Sequence, residues 1–445
     1  MNQSHYDTII IGAGPGGLST AFDLSKKQSV LIIENDLWGG TCPNRGCDPK
    51  KMLYSAVETK QRQEAMQGFG LTGSSIIDWP KLMAFKSAYT DKVPANTLAG
   101  LSAANIKTVH GSAKFISKSE INVNTETYTA DNFVIAAGQS PVVPDIPGSH
   151  LLKTSTDFLS LEELPDKIAF IGAGYISIEL ANIAAIAGSE VHIIQHNSQI
   201  LRGFPIEYTT RLIENLKTNG VHFHFDTNIT EITEGPLGFQ MLDDKGLSLT
   251  VDLAISAMGR QPNVNTLNLP IAGAESDSHG IIVDSHLKTK NDRIYAIGDI
   301  VSRKQPKLTP VSTFEGHYVA DQLLKKSNSP ITYPPIPMTV YASPQLSQVG
   351  ITIEQAKNEP EHYDIRVQET TNWYSFNRIK ESEASVTTIF DKSSNLLVGA
   401  VAYTTIAEEL INYLTPLIAN KTPKTDVTKL ILAYPTPASD LAYYL

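Results

Sequence analysis

Tyr6-Asp7-Thr8-Ile9-Ile10-Ile11-Gly12-Ala13-Gly14-Pro15-Gly16-Gly17 stands near the start of a 445-residue chain. An apolar run passes directly into a glycine-rich turn. The first glycine of such a turn makes it tight, the second lets backbone approach a pyrophosphate, and the third lets helix pack on strand. The phosphates then face a helix N-terminus. The pattern predicts a strand, a helix over 18–25 and a second strand, Val30-Leu31-Ile32-Ile33, ending in Glu34. Glu34 lies 22 residues after Gly12, where an acid can hydrogen-bond a ribose hydroxyl.

The same unit recurs. Lys167-Ile168-Ala169-Phe170-Ile171 leads into Gly172-Ala173-Gly174-Tyr175-Ile176-Ser177, a helix to about Ala187 and a strand over 190–194. Ser177 stands where the third glycine would, one small residue for another. One glycine turn is weak testimony; two, each between strand and helix, are strong.

Between them lies Gly39-Gly40-Thr41-Cys42-Pro43-Asn44-Arg45-Gly46-Cys47, holding the only two cysteines, five positions apart. Zinc normally takes four ligands, and no second cysteine pair completes a site. A structural disulfide would close a tiny loop and constrain the unfolded chain little. It would also be unusual in a chain read as cytoplasmic. A redox pair beside a bound dinucleotide is the reading left, and the glycines around it let backbone approach a cofactor.

Composition sets outer bounds. The length implies two to four domains with ample core. A net charge of -10 argues against nucleic acid or an anionic membrane as partner. No signal peptide and no apolar stretch long enough to span a bilayer is read, so a cytoplasmic chain is expected. Phe133-Val134-Ile135-Ala136-Ala137-Gly138 followed by Pro144-Asp145-Ile146-Pro147-Gly148 reads as a domain crossover, and 253–263 as the return. Ile294-Tyr295-Ala296-Ile297-Gly298-Asp299 reads as a buried strand ending in Gly-Asp. Tyr333-Pro334-Pro335-Ile336-Pro337 reads as a linker. Beyond it strands are expected over 385–390 and 397–403, and helices over 407–419 and 425–431.

These motifs together resemble the flavoprotein disulfide reductases, such as glutathione reductase, dihydrolipoamide dehydrogenase and mercuric reductase. The likeness runs from about Tyr6 to Asp440. It implies an α/β fold with two Rossmann-like dinucleotide-binding domains, for FAD and NAD(P), plus a C-terminal α+β dimerisation domain. The implied division is 1–148 and 259–332 for FAD, 149–258 for NAD(P) and 333–445 for the dimer interface. It also implies a homodimer.

Residue by residue, the resemblance gives Gly12, Gly14, Gly17, Glu34, Gly40, Thr41, Gly138 and Asp299 to FAD, with Asp299 on the ribityl chain. It gives Gly172, Gly174, Tyr175, Gln195, His196, Arg202 and Gly259 to NAD(P), with Tyr175 as an aromatic lid. Cys47 is implied as the flavin-proximal thiolate and Cys42 as the interchange thiol. Lys50 is implied beside the flavin, with Glu179 as its ion-pair partner. A lysine ammonium there would favour thiolate at Cys47. From the residues alone, Lys50 reads equally as a solvated lysine and Glu179 as a surface helix residue.

The chain departs from the resemblance in several places. The family's C-terminal His-Pro-Thr-x-x-Glu segment is here Tyr434-Pro435-Thr436-Pro437-Ala438-Ser439, with Asp440 next. A phenol titrates near ~10 and is a poor base at neutral pH, though it can donate a hydrogen bond. Mercuric reductases also carry tyrosine there but add a C-terminal cysteine pair, which this chain lacks. Phe22 and His317 stand where glutathione reductases place arginines, so an anionic tripeptide disulfide loses bidentate contacts. His317 also reads as a plain helix-surface residue. Asp48 has two readings: close to Cys47, where it would disfavour thiolate, or capping a helix and pointing away. The strand before the second ribose site ends in Gln195 rather than an acid, and His196 and Arg202 follow. That favours NADPH.

The expected function is therefore an enzyme, an FAD-dependent NAD(P)H oxidoreductase. Electrons pass to a Cys42–Cys47 disulfide and on to a low-molecular-weight disulfide, a small-molecule acceptor, with no metal site. The alternatives are reduction of a small oxidant, metal ion or quinone, which needs less help from a general acid, and a low-turnover redox-sensing flavoprotein.

Overall fold

In the computed structural model, which describes residues 4–445, the strand Ser4–Ile11 is buried from Thr8 onward. A near-continuous apolar run of this kind fits a parallel strand covered on both faces. It pairs in parallel with Val30–Glu34 on one side and with Glu126–Ile135 on the other. Lys107–His110 extends the sheet beyond Val30–Glu34. The other edge of the long Glu126–Ile135 strand is shared. Its first half takes Glu120–Val123 antiparallel, followed by Ala113–Phe115, and its second half takes Ile294–Ala296 in parallel. Helices Pro15–Leu24 and Thr309–Leu323 belong to the same unit. That unit takes the chain up to Lys50, Ala84–Val142 and Gly259–Thr332.

The second unit takes Lys51–Met83, Val143–Met258 and Tyr333–Leu445. Its parallel sheet runs Val221–His224, Glu190–Ile194, Lys167–Ile171, Leu253–Ser256. Helix Tyr175–Ala187 is buried from Ser177 to Ala184, an apolar helix rather than an amphipathic one. A three-stranded antiparallel meander, Ile229–Gly235, Gly238–Asp243 and Ser248–Val251, precedes the return strand. Residues 51–83 join this unit because Leu53, Tyr54, Val57, Trp79 and Met83 bury among Phe158, Phe170, Val340 and Leu346. Each such side chain contributes about 1.5–3 kcal/mol when fully buried.

The C-terminal part is an antiparallel sheet in the order Met338–Val340, Gln345–Gly350, Leu396–Thr404, Ser385–Asp391, Tyr363–Glu369. Helix Ala407–Ala419 packs Leu410, Ile411 and Leu414 against it. The fold is thus two Rossmann-type sheets and a C-terminal α+β part, as the sequence patterns imply. One expected element differs. The helix over 425–431 is a single turn, Lys424–Val427. Only Val427 joins the core, whereas Ile431 is 100% exposed, so no packing carries the helix onward.

Candidate functional site

The first glycine turn is shaped by close approach. Gly12 has φ +107, and a Cβ there would come within 2.3 Å of the Ala136 carbonyl oxygen. A Cβ on Gly17 would come within 2.0 Å of the Gly12 carbonyl oxygen, so only glycine lets the helix sit this tightly on the strand. Gly14 is the N-cap of Pro15–Leu24, and no side chain caps that helix. An uncapped helix N-terminus of this kind suits a pyrophosphate. Glu34 closes the turn: Oε2 accepts from Ala13 N at 2.8 Å, and Oε1 accepts from Asn35 N and Asp36 N at 2.9 Å.

The cysteine loop lies directly on this turn. A Cβ on Gly40, whose φ is +70, would come within 2.5 Å of Gly14 Cα. Asn44 Nδ2 donates to the Trp38 carbonyl at 3.0 Å and to the Gly40 carbonyl at 2.8 Å, closing the loop. Arg45 pairs with Asp36. Thr41 opens the short helix Thr41–Arg45, and Cys47 opens the helix Cys47–Ala65. The bend at Gly46 between them brings the two cysteines together as thiols in hydrogen-bonding contact. The Cys42 thiol is held well above its ordinary range, first by that bond to Cys47, then by burial and by the negative charges of Cys47 and Asp48, with Thr309 opposing. Cys47 Sγ lies 3.9 Å from Thr309 Oγ1. Lys50, one turn into the helix, is buried.

Asp299 sits in the turn Gly298–Ile300, after strand Ile294–Ala296. Gly298 N donates to Glu315 Oε2 at 2.7 Å, and Glu315 is ion-paired with Arg303. Lys307 Nζ donates to the Asp299 carbonyl at 2.7 Å. Burial raises the Asp299 carboxyl above its usual range, opposed by the charges of Arg303, Arg260 and Lys307. Gly138 follows strand Glu126–Ile135, with its carbonyl accepting from Asn263 N at 3.1 Å and open space where a Cβ would sit. The residues that the resemblance assigns to FAD therefore line one turn-and-loop cluster of the first unit. Its glycine cradle and uncapped helix end fit a dinucleotide.

The second unit repeats the turn. Gly172 has φ +102 and backs onto the Ala257 carbonyl, where a Cβ would come within 2.5 Å. Gly174 caps Tyr175–Ala187, again with no side-chain cap. Ser177 is fully buried, and its Oγ has no hydrogen-bond partner. Tyr175 is half exposed, and His196 and Arg202 are exposed. Gln195 Nε2 is spent on Asn197 Oδ1 at 2.9 Å and the Gln199 carbonyl at 3.1 Å, so it holds the loop that carries His196. Glu179 is buried rather than on the surface, and its Oε1 accepts from Tyr341 N at 2.9 Å. Gly259 belongs to the first unit, where its carbonyl accepts from Val142 N at 3.0 Å.

Three findings were not legible beforehand. Asp48 turns to Cys42, not outward: Cys42 Sγ donates toward Asp48 Oδ1 at 3.8 Å. Tyr89, which no motif singles out, donates its hydroxyl to Asp48 Oδ2 at 2.7 Å. His317 is engaged with Asp23, Nδ1 to Oδ2 at 2.6 Å, beside Phe22. Tyr434 is 81% exposed within the chain, while Ser439 bonds within its own turn and Asp440 accepts from Ser375. Among the described residues no group of three or more His, Cys, Asp and Glu could hold a metal ion. Nor is any helix there long and apolar enough to cross a membrane.

Comparison with known proteins gives the family and the fold. A family model described as pyridine nucleotide-disulphide oxidoreductase matches residues 6–316, and its dimerisation domain matches 336–442. A glutathione reductase of Burkholderia cepacia is 30% identical, over 99% of this chain and 98% of its own length. A dihydrolipoyl dehydrogenase of Bacillus subtilis is 31% identical, over 97% and 93%. Among solved structures, the HOCl-induced flavoprotein disulfide reductase RclA from Escherichia coli aligns with a TM-score of 0.89 at 25% identity, covering 98% of each chain. A Cu(II) complex of RclA aligns equally well.

Proposed function

The chain belongs to the pyridine nucleotide-disulphide oxidoreductase family, an enzyme family of flavoproteins using a pyridine nucleotide, and on that premise we propose that it is an NADPH-dependent reductase of a low-molecular-weight disulfide, with Cys42 and Cys47 as its redox pair. The observation that carries this reading is the seating of the cysteine loop on the first glycine turn, where Gly40 backs onto Gly14 and both cysteines are free thiols. FAD, when bound, supplies two-electron transfer between the nicotinamide and the cysteine pair. Gly12, Gly14, Gly17, Glu34, Gly40, Thr41, Gly138 and Asp299 hold it. Cys47 faces it, Lys50 adds positive charge there, and Cys42 attacks the acceptor before Cys47 resolves the mixed disulfide. Gly172, Gly174, Tyr175, Gly259, His196 and Arg202 hold NADPH. Its 2'-phosphate meets His196 and Arg202, and no acid at position 195 repels it.

The division into 1–148 with 259–332, 149–258 and 333–445 belongs to this reading, as does a homodimer built on the dimerisation domain. Exposed Leu430, Ile431 and Tyr434 give that domain an apolar face. Tyr434 reaches the partner's acceptor site as a hydrogen-bond donor. Glutathione disulfide is a poor candidate, because Phe22 and His317 stand where its carboxylates would need arginines, and His317 is engaged with Asp23.

A second reading, reduction of a small oxidant, metal ion or quinone, is favoured by Tyr434 in place of an imidazole base and by the likeness to RclA, whose Cu(II) complex is known. NADPH and NADH oxidation by the FAD-loaded enzyme against glutathione disulfide, lipoamide, other disulfides, hypothiocyanite, Cu(II) and a quinone separates the two. Turnover of a disulfide that is lost in Cys42→Ser supports the first reading. Turnover confined to small oxidants replaces it with the second.

A further inference from the structure

We propose that Asp48 is the proton acceptor and donor for the Cys42 thiol, with Tyr89 as the residue that positions it. This rests on reading Cys42 as the thiol that attacks the acceptor. Asp48 presents its two oxygens in two directions. Oδ1 faces Cys42 Sγ at 3.8 Å, and Oδ2 accepts the Tyr89 hydroxyl at 2.7 Å. Position 48 lies in the first turn of Cys47–Ala65, where any carboxylate gains from the helix dipole. That gain asks nothing of Cys42 and requires no tyrosine. The orientation shown here does: Tyr89 fixes one oxygen and leaves the other aimed at sulfur.

The need for such a group is visible in the C-terminal segment. No histidine stands at position 434, and Ser439 and Asp440 are engaged within the C-terminal part. A reductase still has to take a proton from the attacking thiol and give one to the leaving thiolate.

Cys42–SH gives its proton to Asp48 as its sulfur bonds to one sulfur of the acceptor disulfide and the acceptor S–S bond breaks. The departing thiolate takes that proton from Asp48 and leaves as a thiol. Cys47 thiolate then attacks Cys42 Sγ, the Cys42–Cys47 disulfide forms, and the second acceptor sulfur leaves and takes a proton from water. The acceptor has gained two electrons and the cysteine pair has lost them.

A carboxylate beside a thiol does two things that pull apart experimentally. Its charge holds Cys42 protonated, which slows simple alkylation. Its lone pair moves the proton, which speeds exchange with a disulfide. The test compares wild type, Asp48→Asn and Tyr89→Phe as reduced holoenzymes, reading Cys42 alkylation by iodoacetamide and turnover of the best disulfide across the neutral pH range. Asp48→Asn is expected to raise alkylation at neutral pH roughly tenfold and to lower disulfide turnover about a hundredfold. Tyr89→Phe removes the bond that aims the carboxylate at sulfur but keeps its charge, so disulfide turnover is expected to fall about tenfold while Cys42 alkylation stays within about twofold of wild type. This second variant carries the test if Asp48→Asn does not fold. Asp48→Asn turning over disulfide at the wild-type rate overturns the proposal, as does slowing of both reactions together. Wild type reducing no disulfide overturns the functional reading instead; the alkylation series then decides alone whether Asp48 governs the Cys42 proton.

Discussion

Gly40 backs onto Gly14 so closely that a methyl group on Gly40 would come within 2.5 Å of Gly14 Cα. The cysteine loop and the first phosphate turn are therefore one built object. Gly40 also holds φ +70 with ψ -162, a conformation open essentially to glycine. Gly40→Ala is expected to destabilise the first unit by at least about 1–3 kcal/mol and to lower flavin content after purification. Thermal unfolding and flavin absorbance check this; an unchanged variant would mean the two loops move independently.

Arg303 and Glu315 form a buried ion pair, with side-chain exposures of 6% and 0%. Glu315 holds the turn that carries Asp299 through Gly298 N. Arg303→Met leaves Glu315 without this cation, and removing one partner of a buried pair costs about 3–5 kcal/mol. The expected outcome is a lower melting temperature, with Arg303→Met/Glu315→Leu recovering part of the loss because neither member of the pair is then left buried without the other.

His192, His222 and His224 stack on adjacent strands, with ring centroids 5.0 and 5.2 Å from that of His192. His192 Nδ1 lies 2.9 Å from His224 Nε2, and its Nε2 lies 2.9 Å from Glu190, which also pairs with Lys167. Burial, partly offset for His192 by Glu190, lowers both His192 and His224 below the ordinary value of 6.5, with neighbouring histidines adding to the effect. Lowered folded values mean that the unfolded chain binds these protons first. The stabilising contribution is present above about pH 6.5 and is lost as pH falls through the folded values. The melting temperature should drop on going from neutral to mildly acidic buffer, and His192→Leu should flatten that drop. An equally steep profile in the variant would place the acid sensitivity elsewhere.

Tyr434 stands where the resemblance calls for an imidazole, and it is exposed within the chain. Under the disulfide reading its hydroxyl serves only as a donor. Tyr434→Phe is expected to lower disulfide turnover by a factor of about ten, one lost hydrogen bond in the transition state, and to leave Cu(II) or quinone turnover within about twofold. A large loss with the small oxidants would count against both acceptor readings as stated.

Much of this was legible in the residues, and the reason is periodicity under steric constraint. Gly12 and Gly172 have to be glycine because Ala136 and Ala257 carbonyls occupy the Cβ position. The turn therefore announces itself in sequence, and the strands on either side follow. Strand Glu190–Ile194 and helix Ala407–Ala419 have the bounds their patterns imply. The helix expected over 425–431 failed because tertiary burial stops at Val427, and propensity alone does not hold a helix. The direction of Asp48 and the role of Tyr89 were hidden for another reason. They are 41 positions apart and meet only once helices Cys47–Ala65 and Trp79–Thr90 are in place. Glu179 read equally as a surface residue until the structure buried it.

The central claim is that reducing equivalents from NADPH end on the Cys42–Cys47 pair. The most direct measurement is anaerobic treatment of the air-oxidised, FAD-loaded enzyme with a slight excess of NADPH, followed by denaturing alkylation and mass spectrometry. No alkylated cysteine is expected before NADPH, and both of the chain's two cysteines are expected to be alkylated after it. Cysteines equally alkylated before and after would contradict it, whatever acceptor the enzyme turns over.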